Sequence, residues 1–148
     1  MTALFTGTFD PFTVGHENIL KRVLPMFDKI VIAVAVSKMK NTQEEVEKRV
    51  ADIQHLYEDQ PKVVVEAYSD LTVDMAKRHG ANVVVRGVRS VKDFEYERQQ
   101  ADINRQLGGI ETILLFSEPQ YESVSSTLVR ELRFFGKDAS MFLPEKNK

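Results

Sequence analysis

The chain begins Met1-Thr-Ala-Leu-Phe-Thr-Gly-Thr-Phe-Asp-Pro-Phe-Thr-Val-Gly-His16, and this stretch decides the fold. A short apolar run, 3–5, stops at Gly7, an Asp10-Pro11 turn follows, and a helical pattern starts around His16. A strand, loop and helix N-terminus in this order present unpaired backbone N–H groups at the positive end of a helix dipole, which favours phosphate binding. The glycine spacing fits neither the dinucleotide fingerprint nor the Walker loop, whereas the end of the stretch fits the pattern T/H-x-G-H.

Length and composition limit the possible classes of protein. At 148 residues and 43% hydrophobic, residues 1–148 are expected to form one compact domain. The net charge of -2, without a dense Lys/Arg run, argues against a nucleic-acid partner. The absence of cysteine excludes disulfides, thiolate zinc sites and a cysteine nucleophile. Because nowhere do about 18 apolar residues run together, and no signal peptide is evident, we expect a cytoplasmic protein that does not enter a membrane.

The spacing of apolar residues alternates along the chain between the pattern of a strand and the pattern of a helix. They predict strands at 3–5, 29–36, 63–68, 82–85 and 112–116, and helices near 17–27, 42–57, 72–79 and 90–107 and after 124. Thr42 and Glu45 have the spacing of a capping box, and Gly80 is a good helix C-cap. The alternation predicts an α/β fold: a single-domain, doubly wound (Rossmann-like) sheet of five parallel strands with helices on both faces.

Unusual polar clusters follow each predicted strand. They occupy residues 6–16, 37–40, 69–71, 86–89 and 117–127. Ligands of open parallel sheets bind beyond the carboxyl ends of the strands, where the strand order reverses, so all these clusters are expected to face one crevice. Its arginines, lysines, hydroxyls and helix N-termini suit a ligand with many phosphates.

Two of these clusters carry a family resemblance. Residues 6–16 and 124–130 resemble the T/H-x-G-H and I-S-S-T-x-x-R signatures of the nucleotidylyltransferase superfamily. Arg86-Gly-Val-Arg89 and Asp93-Phe-Glu-Tyr-Glu97, with Asn104, resemble the bacterial adenylyltransferases of that superfamily that act on 4'-phosphopantetheine. The resemblance runs from about Met1 to Pro144. The chain departs from the family pattern at Thr6, where proline is common, and after Lys40, where an aromatic residue is missing.

The resemblance implies a reaction and its participants. AMP would pass from ATP to 4'-phosphopantetheine, giving dephospho-coenzyme A and pyrophosphate in the penultimate step of coenzyme A biosynthesis. Similar enzymes use Mg²⁺ and form homohexamers. We see no dedicated metal cage in the sequence, so Mg²⁺ is expected to arrive with ATP.

The resemblance also implies roles for particular residues. Those matching ATP-binding positions are Thr8, Phe9, His16, Gly87, Val88, Arg89, Glu97, Tyr121, Glu122, Ser123, Val124, Ser125, Ser126 and Thr127. Those matching phosphopantetheine-binding positions are Thr8, Lys40, Thr72 and Arg86. The catalytic set is His16, Thr8, Lys40 and Arg89, and the family assigns transition-state stabilisation to the position of His16.

Elementary chemistry agrees with this assignment. A phosphate is already a good nucleophile at neutral pH and pyrophosphate a competent leaving group, so in-line attack needs no covalent enzyme intermediate. Catalysis then consists of alignment and charge stabilisation. The helix dipole and a bound phosphate shift the pKa of His16 in opposite directions, and the sequence leaves the net direction open.

Other interpretations remain open at the level of sequence. A related nucleotidylyltransferase with another phosphorylated acceptor, or a non-catalytic ATP-binding sensor, would carry similar motifs. Residues 125–127 could be only a helix N-cap, Asp10 is typical of a turn, and Glu95 fits a solvated helix face. Phe134, Phe135, Met141, Phe142 and Leu143 could form core or a subunit contact.

Overall fold

A five-stranded, all-parallel sheet forms the centre of the structure, a computed structural model that describes residues 1–36 and 42–148. The strands are β1 (Thr2–Gly7), β2 (Lys29–Ala35), β3 (Val63–Tyr68), β4 (Val83–Val88) and β5 (Glu111–Phe116). Their order across the sheet is β3-β2-β1-β4-β5, as expected for a doubly wound fold. The polar cluster predicted at 37–40, which includes Lys40, lies outside the described residues.

Helices connect the strands. They are α1 (Val14–Val23), α2 (Gln43–Leu56), α3 (Thr72–His79), α4 (Val91–Gly108) and α5 (Ser126–Phe134). Short 3-10 turns lie at Leu24–Met26, Pro119–Tyr121, Ser140–Phe142 and Glu145–Asn147. None of the helices in the described ranges is both long and apolar enough to cross a membrane.

Local sequence signals fix several helix ends. Thr42 caps α2 by accepting from the backbone N–H of Glu45, whose carboxylate accepts from the Thr42 N–H at 3.2 Å. Gly80 ends α3 at a φ of 64°, a conformation that costs glycine little. The sequence predicts both signals, and both are confirmed.

The core forms on both faces of the sheet. Phe5, Leu20 and Ile32 belong to the cluster on one face, whereas Leu4 and Val31 belong to the cluster on the other. Consecutive residues of β1 and β2 therefore point into different layers, which explains why these strands read as continuous apolar runs. Because core residues cover both faces of the sheet, ligands are expected to bind at the strand ends, where backbone groups are unpaired.

Two predicted strand ends come too early. The first strand is predicted to stop at Phe5, but β1 continues through Thr6 and Gly7, which pair with Ala33 and Val34 of β2. The sequence predicts that strand four ends at Val85 and delivers Arg86 and Gly87 into a loop, but β4 continues to Val88 and pairs them with Leu114 and Leu115 of β5. Parallel pairing with a full-length neighbour outweighs the polar character of arginine and the weak strand preference of glycine. Arg86 is consequently held by the sheet instead of a loop.

The order of the strands reverses at β1. This strand pairs with β2 on one side and with β4 on the other, so the connections from the two halves of the sheet diverge above its carboxyl end. The loop after β1 and the end of β4 therefore meet at the position where doubly wound sheets bind ligands.

Candidate active site

The loop that follows β1 is packed by aromatic rings. Phe9 is buried with a φ of 48°, unusual for a residue other than glycine, and its ring lies 5.3 Å from those of Phe5 and Phe12. A Cβ on Gly7 would come within 2.9 Å of the Phe9 ring, so the absence of a side chain there permits the packing. Thr8, between these two residues, is exposed.

His16 completes this aromatic cluster. Its ring centroid lies 5.0 Å from that of Phe9 and 5.3 Å from that of Phe12. The backbone N–H of Thr13 donates to its Nδ1 at 2.9 Å, and the Thr13 hydroxyl lies 3.1 Å from the same atom. Because Nδ1 accepts this bond, the neutral ring carries its proton on Nε2.

The charge state of His16 follows from its surroundings. Burial, with smaller contributions from the Arg86 and Arg89 guanidiniums, lowers the pKa of His16 from 6.5 to about 3. A neighbouring cation disfavours a second positive charge, which is why the arginines act in the same direction as burial. His16 is therefore a neutral N–H donor at physiological pH.

The start of α5 is joined to the loop after β1. Ser125 caps the helix by accepting from the Leu128 N–H at 3.0 Å, which confirms the predicted cap. The Ser126 hydroxyl donates to the Pro11 carbonyl at 2.7 Å, and Arg130 donates to the Asp10 carbonyl at 2.7 Å. The two signature stretches, far apart in the sequence, form one unit.

Arg49 of α2 also binds this loop. It is buried, donates to the Thr8 carbonyl at 3.2 Å and lies 3.4 Å from the Asp10 carboxylate. A buried guanidinium needs such partners to offset its desolvation. Asp10, which the sequence indicated as a turn residue, therefore also pairs with a cation.

Two arginines at the end of β4 each contact an acidic residue of α4. Arg86 forms a bidentate pair with Glu97, with N···O distances of 2.8 and 2.6 Å, and also donates to Thr6. Arg89 lies 3.4 Å from the Asp93 carboxylate. These pairs attach α4 to the sheet beside the crevice.

The crevice consists of two adjoining cavities. The His16 cavity, of about 360 Å³, contains the loop after β1, Arg89 and the start of α5. The Thr72 cavity, of about 430 Å³, extends toward Tyr68, Thr72 and Asn104. Both cavities are lined by Thr6, Gly7, Thr8, Arg86, Tyr96 and Glu97. Two ligands can therefore bind side by side and meet along this shared wall.

The structure brings most of the predicted residues together. The His16 cavity is lined by Thr8, Phe9, His16, Gly87, Arg89, Glu97, Tyr121, Val124, Ser125, Ser126 and Thr127. The Thr72 cavity is lined by Thr8, Thr72 and Arg86. Val88 and Glu122 instead line a groove of about 220 Å³ beside Arg89. Ser123 follows Glu122 and lines none of these three spaces, and Lys40 lies outside the described residues.

Sequence reasoning missed several lining residues. They include Tyr68, Tyr96, Gln100, Ala101 and Arg130. Most of them lie on α4, where 93, 96, 97, 100, 101 and 104 recur at helical spacing on the face that lines the crevice. This periodicity is present in the sequence, but the residues on this face are mostly polar. The pattern therefore cannot be distinguished from an ordinary solvated helix face.

The fold and this crevice define a nucleotide-binding α/β domain with room for a second substrate. Residues 4–132 match the Cytidylyltransferase-like family. Curated proteins called phosphopantetheine adenylyltransferase are similar over nearly the full length of both chains. That of Phocaeicola vulgatus is 54% identical over 99% of this chain and 97% of its own. The protein of Bacteroides fragilis is 53% identical over 97% of this chain and 95% of its own length. The protein of Bacteroides thetaiotaomicron is 52% identical, with the same coverage of both chains.

The chain belongs to the phosphopantetheine adenylyltransferase family, within the nucleotidyltransferases. The specific resemblance predicted from the motifs is confirmed.

The protonation of His16 can be measured directly. A group whose folded pKa is about 3 stays neutral as pH falls through 6.5, so we predict no protonation of His16 between pH 8 and pH 5. Long-range ¹H–¹⁵N NMR spectra of labelled protein should show an Nε2–H tautomer throughout this range. Arg89→Ala should raise the pKa, because it removes a neighbouring cation. Titration of wild-type His16 with a midpoint near 6.5 would contradict this assignment.

Proposed function

We propose that the protein transfers the adenylyl group of ATP to 4'-phosphopantetheine, giving dephospho-coenzyme A and pyrophosphate. The observation that carries this proposal is the pair of cavities with one shared wall, since adenylyl transfer requires two phosphorylated substrates in contact. The names of the relatives agree with the same reaction.

ATP fits the His16 cavity best. Arg89, the neutral His16 and the N-terminus of α5 supply donors and positive potential for its phosphates. The proposed contacts are Thr8, Phe9, His16, Gly87, Val88, Arg89, Glu97 and Tyr121 to Thr127. Val88 and Glu122 belong to this set through the adjoining groove beside Arg89.

The acceptor, 4'-phosphopantetheine, fits the Thr72 cavity. Its phosphate would lie at the shared wall, near Thr8 and Arg86, and its pantetheine arm would extend toward Thr72. Lys40 is the remaining proposed contact, on the strength of the sequence resemblance. Thr8 lines both cavities and is therefore placed to contact the groups that react.

The proposed reaction is a single in-line displacement. An oxygen of the acceptor's phosphate attacks the α-phosphorus of ATP, and the bond from that phosphorus to the bridging oxygen breaks. Pyrophosphate leaves with the electron pair of the broken bond. No protein side chain forms a bond to the adenylyl group.

The chain contributes donors around the reacting phosphorus. His16 donates through Nε2–H and Thr8 through its hydroxyl, while Arg89 and Lys40 supply charge. A neutral imidazole can play this role, because its Nε2–H still donates a hydrogen bond to a phosphate oxygen. Its orientation is set by Thr13, so no reorganisation is needed as the transition state forms.

Mg²⁺ is proposed to accompany ATP. Within residues 1–36 and 42–148, no three His, Asp or Glu side chains come together in a way that could hold a metal ion. The oxygens of the triphosphate are therefore its proposed ligands, and Mg²⁺ would supply charge neutralisation to the leaving pyrophosphate.

The working form is proposed to be a cytoplasmic homohexamer. In support, α4 and β5 expose large apolar side chains, with Val91 78% and Phe116 74% accessible, and Phe94 lies beside them. A contiguous apolar surface of this kind is typical of a subunit contact. Sedimentation equilibrium tests whether the protein forms a hexamer. The proposed cytoplasmic location rests on the need for ATP.

Pyrophosphate release tests the proposed reaction. Purified protein with ATP, Mg²⁺ and 4'-phosphopantetheine should release pyrophosphate and form dephospho-coenzyme A in equal amounts. ATP alone should release none, because no protein group accepts the adenylyl moiety. Release only with another acceptor, such as nicotinamide mononucleotide or glycerol phosphate, would indicate a different transferase. ATP binding without turnover with any of these acceptors would indicate a sensor.

His16→Ala should lower kcat by roughly 10²–10³, the usual loss for one transition-state donor, while the fold stays intact. The matched control is His55→Ala, since His55 is an exposed helix residue that lines neither cavity. Steady-state kinetics and circular dichroism of both variants make the comparison. Unchanged turnover in His16→Ala would remove this residue from the mechanism.

A further inference from the structure

A charged side chain lies on the core-facing side of α2. The buried residues of this helix are Val46, Arg49 and Ile53, whose spacing of three and four residues places them on one face. Among the described residues, Arg49 is the one buried cationic side chain, and it is 9% exposed. Because a guanidinium at a position that suits an apolar side chain pays a desolvation penalty, its presence there needs an explanation.

Arg49 contacts the loop after β1 on both sides of Phe9. Its Nη1 donates to the carbonyl of Thr8 at 3.2 Å, and its Nη2 lies 3.4 Å from the carboxylate of Asp10. Since the two nitrogens belong to one rigid plane, these contacts fix Thr8 and Asp10 relative to α2. Between them, Phe9 has a φ of 48°, which a residue other than glycine keeps only when its surroundings enforce it.

Neither residue that accepts from Arg49 is buried. Thr8 is exposed, and the side chain of Asp10 is 46% accessible. Removing one member of a buried ion pair is strongly destabilising when the other member stays buried without a partner, whereas water can reach both residues here. An apolar side chain of similar length at position 49 should therefore leave the free energy of unfolding little changed. Stability does not explain the arginine.

The position of Thr8 offers an explanation. Arg49 lines neither the His16 cavity nor the Thr72 cavity, whereas Thr8 lines both. Thr8 is the residue proposed to donate its hydroxyl at the reacting phosphorus, where a small displacement of a donor lowers the rate. The carbonyl that Arg49 contacts belongs to the same residue as this hydroxyl. Arg49 can therefore affect the reaction through Thr8.

We propose that Arg49 is a positioning residue for adenylyl transfer: it fixes Thr8 at the wall that both substrates share, and it does not increase the stability of the fold. This inference rests on the proposed function and gives a role to a residue outside both cavities. Asp10 is the second anchor, because its carboxylate holds the guanidinium in the orientation that reaches Thr8. Fixing a donor before the substrates bind lowers the cost of ordering it in the transition state.

Arg49→Met removes the charge and both contacts but keeps an unbranched side chain. kcat should fall roughly ten- to hundredfold, because Thr8 loses its fixed position, while the KM for each substrate changes less than about threefold. The Tm should shift by less than about 4 °C. Lys48→Met is the matched control, because it removes the same charge from an exposed position of the same helix, and it should change none of these quantities. Steady-state pyrophosphate release and thermal unfolding followed by circular dichroism provide the measurements.

A double mutant tests whether Arg49 acts through Thr8. Thr8→Ala removes the hydroxyl but keeps the carbonyl to which Arg49 donates. If Arg49 acts through this hydroxyl, adding Arg49→Met to Thr8→Ala should leave kcat within about twofold of its value in Thr8→Ala alone. Effects on kcat that multiply in the double mutant would overturn the proposal, as would an unchanged kcat in Arg49→Met.

Thermal unfolding separates positioning from stabilisation. A larger fall in the Tm of Arg49→Met, or its failure to fold, would show that the arginine stabilises the protein and would overturn the proposal. Absence of pyrophosphate release by the wild-type protein would instead contradict the proposed function, so the two failures are distinguishable.

Discussion

The parallel pairing of β1 with both β2 and β4 is the constraint on which the rest of the structure depends. It places the carboxyl ends of these strands at one edge of the sheet, and the connections diverge above β1. Every described group of the candidate site is carried by an element that begins or ends at this edge. Had β4 paired elsewhere, Arg86 could not reach the Thr6 carbonyl, and the two cavities would not share a wall.

Packed elements hold the described polar groups of the site. Phe5, Phe9 and Phe12 pack the loop after β1, and Arg49 and Arg130 bind its carbonyls from α2 and α5. His16 is oriented by Thr13, and Arg86 by Thr6 and Glu97. For a reaction whose nucleophile and leaving group are already competent, such preorganisation is the main contribution that a protein can make.

The sequence predicted the features of the fold that depend on local patterns of residues. The order of strands and helices, the capping box at Thr42 and the C-cap at Gly80 depend on residues close together in the chain, and the structure has them. The motifs identified the family for the same reason. The end of β4 could not be predicted, because pairing of Arg86 and Gly87 with β5 depends on a strand more than twenty residues away. Likewise, the neutrality of His16 depends on burial and on two arginines brought near by the fold.

Direct transfer between two substrates along one shared wall is the central claim, and the stereochemistry at the α-phosphorus tests it most directly. The measurement uses a single diastereomer of ATP with sulfur at the α-phosphorus and determines the configuration of the dephospho-coenzyme A thio analogue by ³¹P NMR. A single in-line displacement predicts inversion of configuration. Retention would require two displacements through a covalent adenylyl-enzyme and would contradict the account.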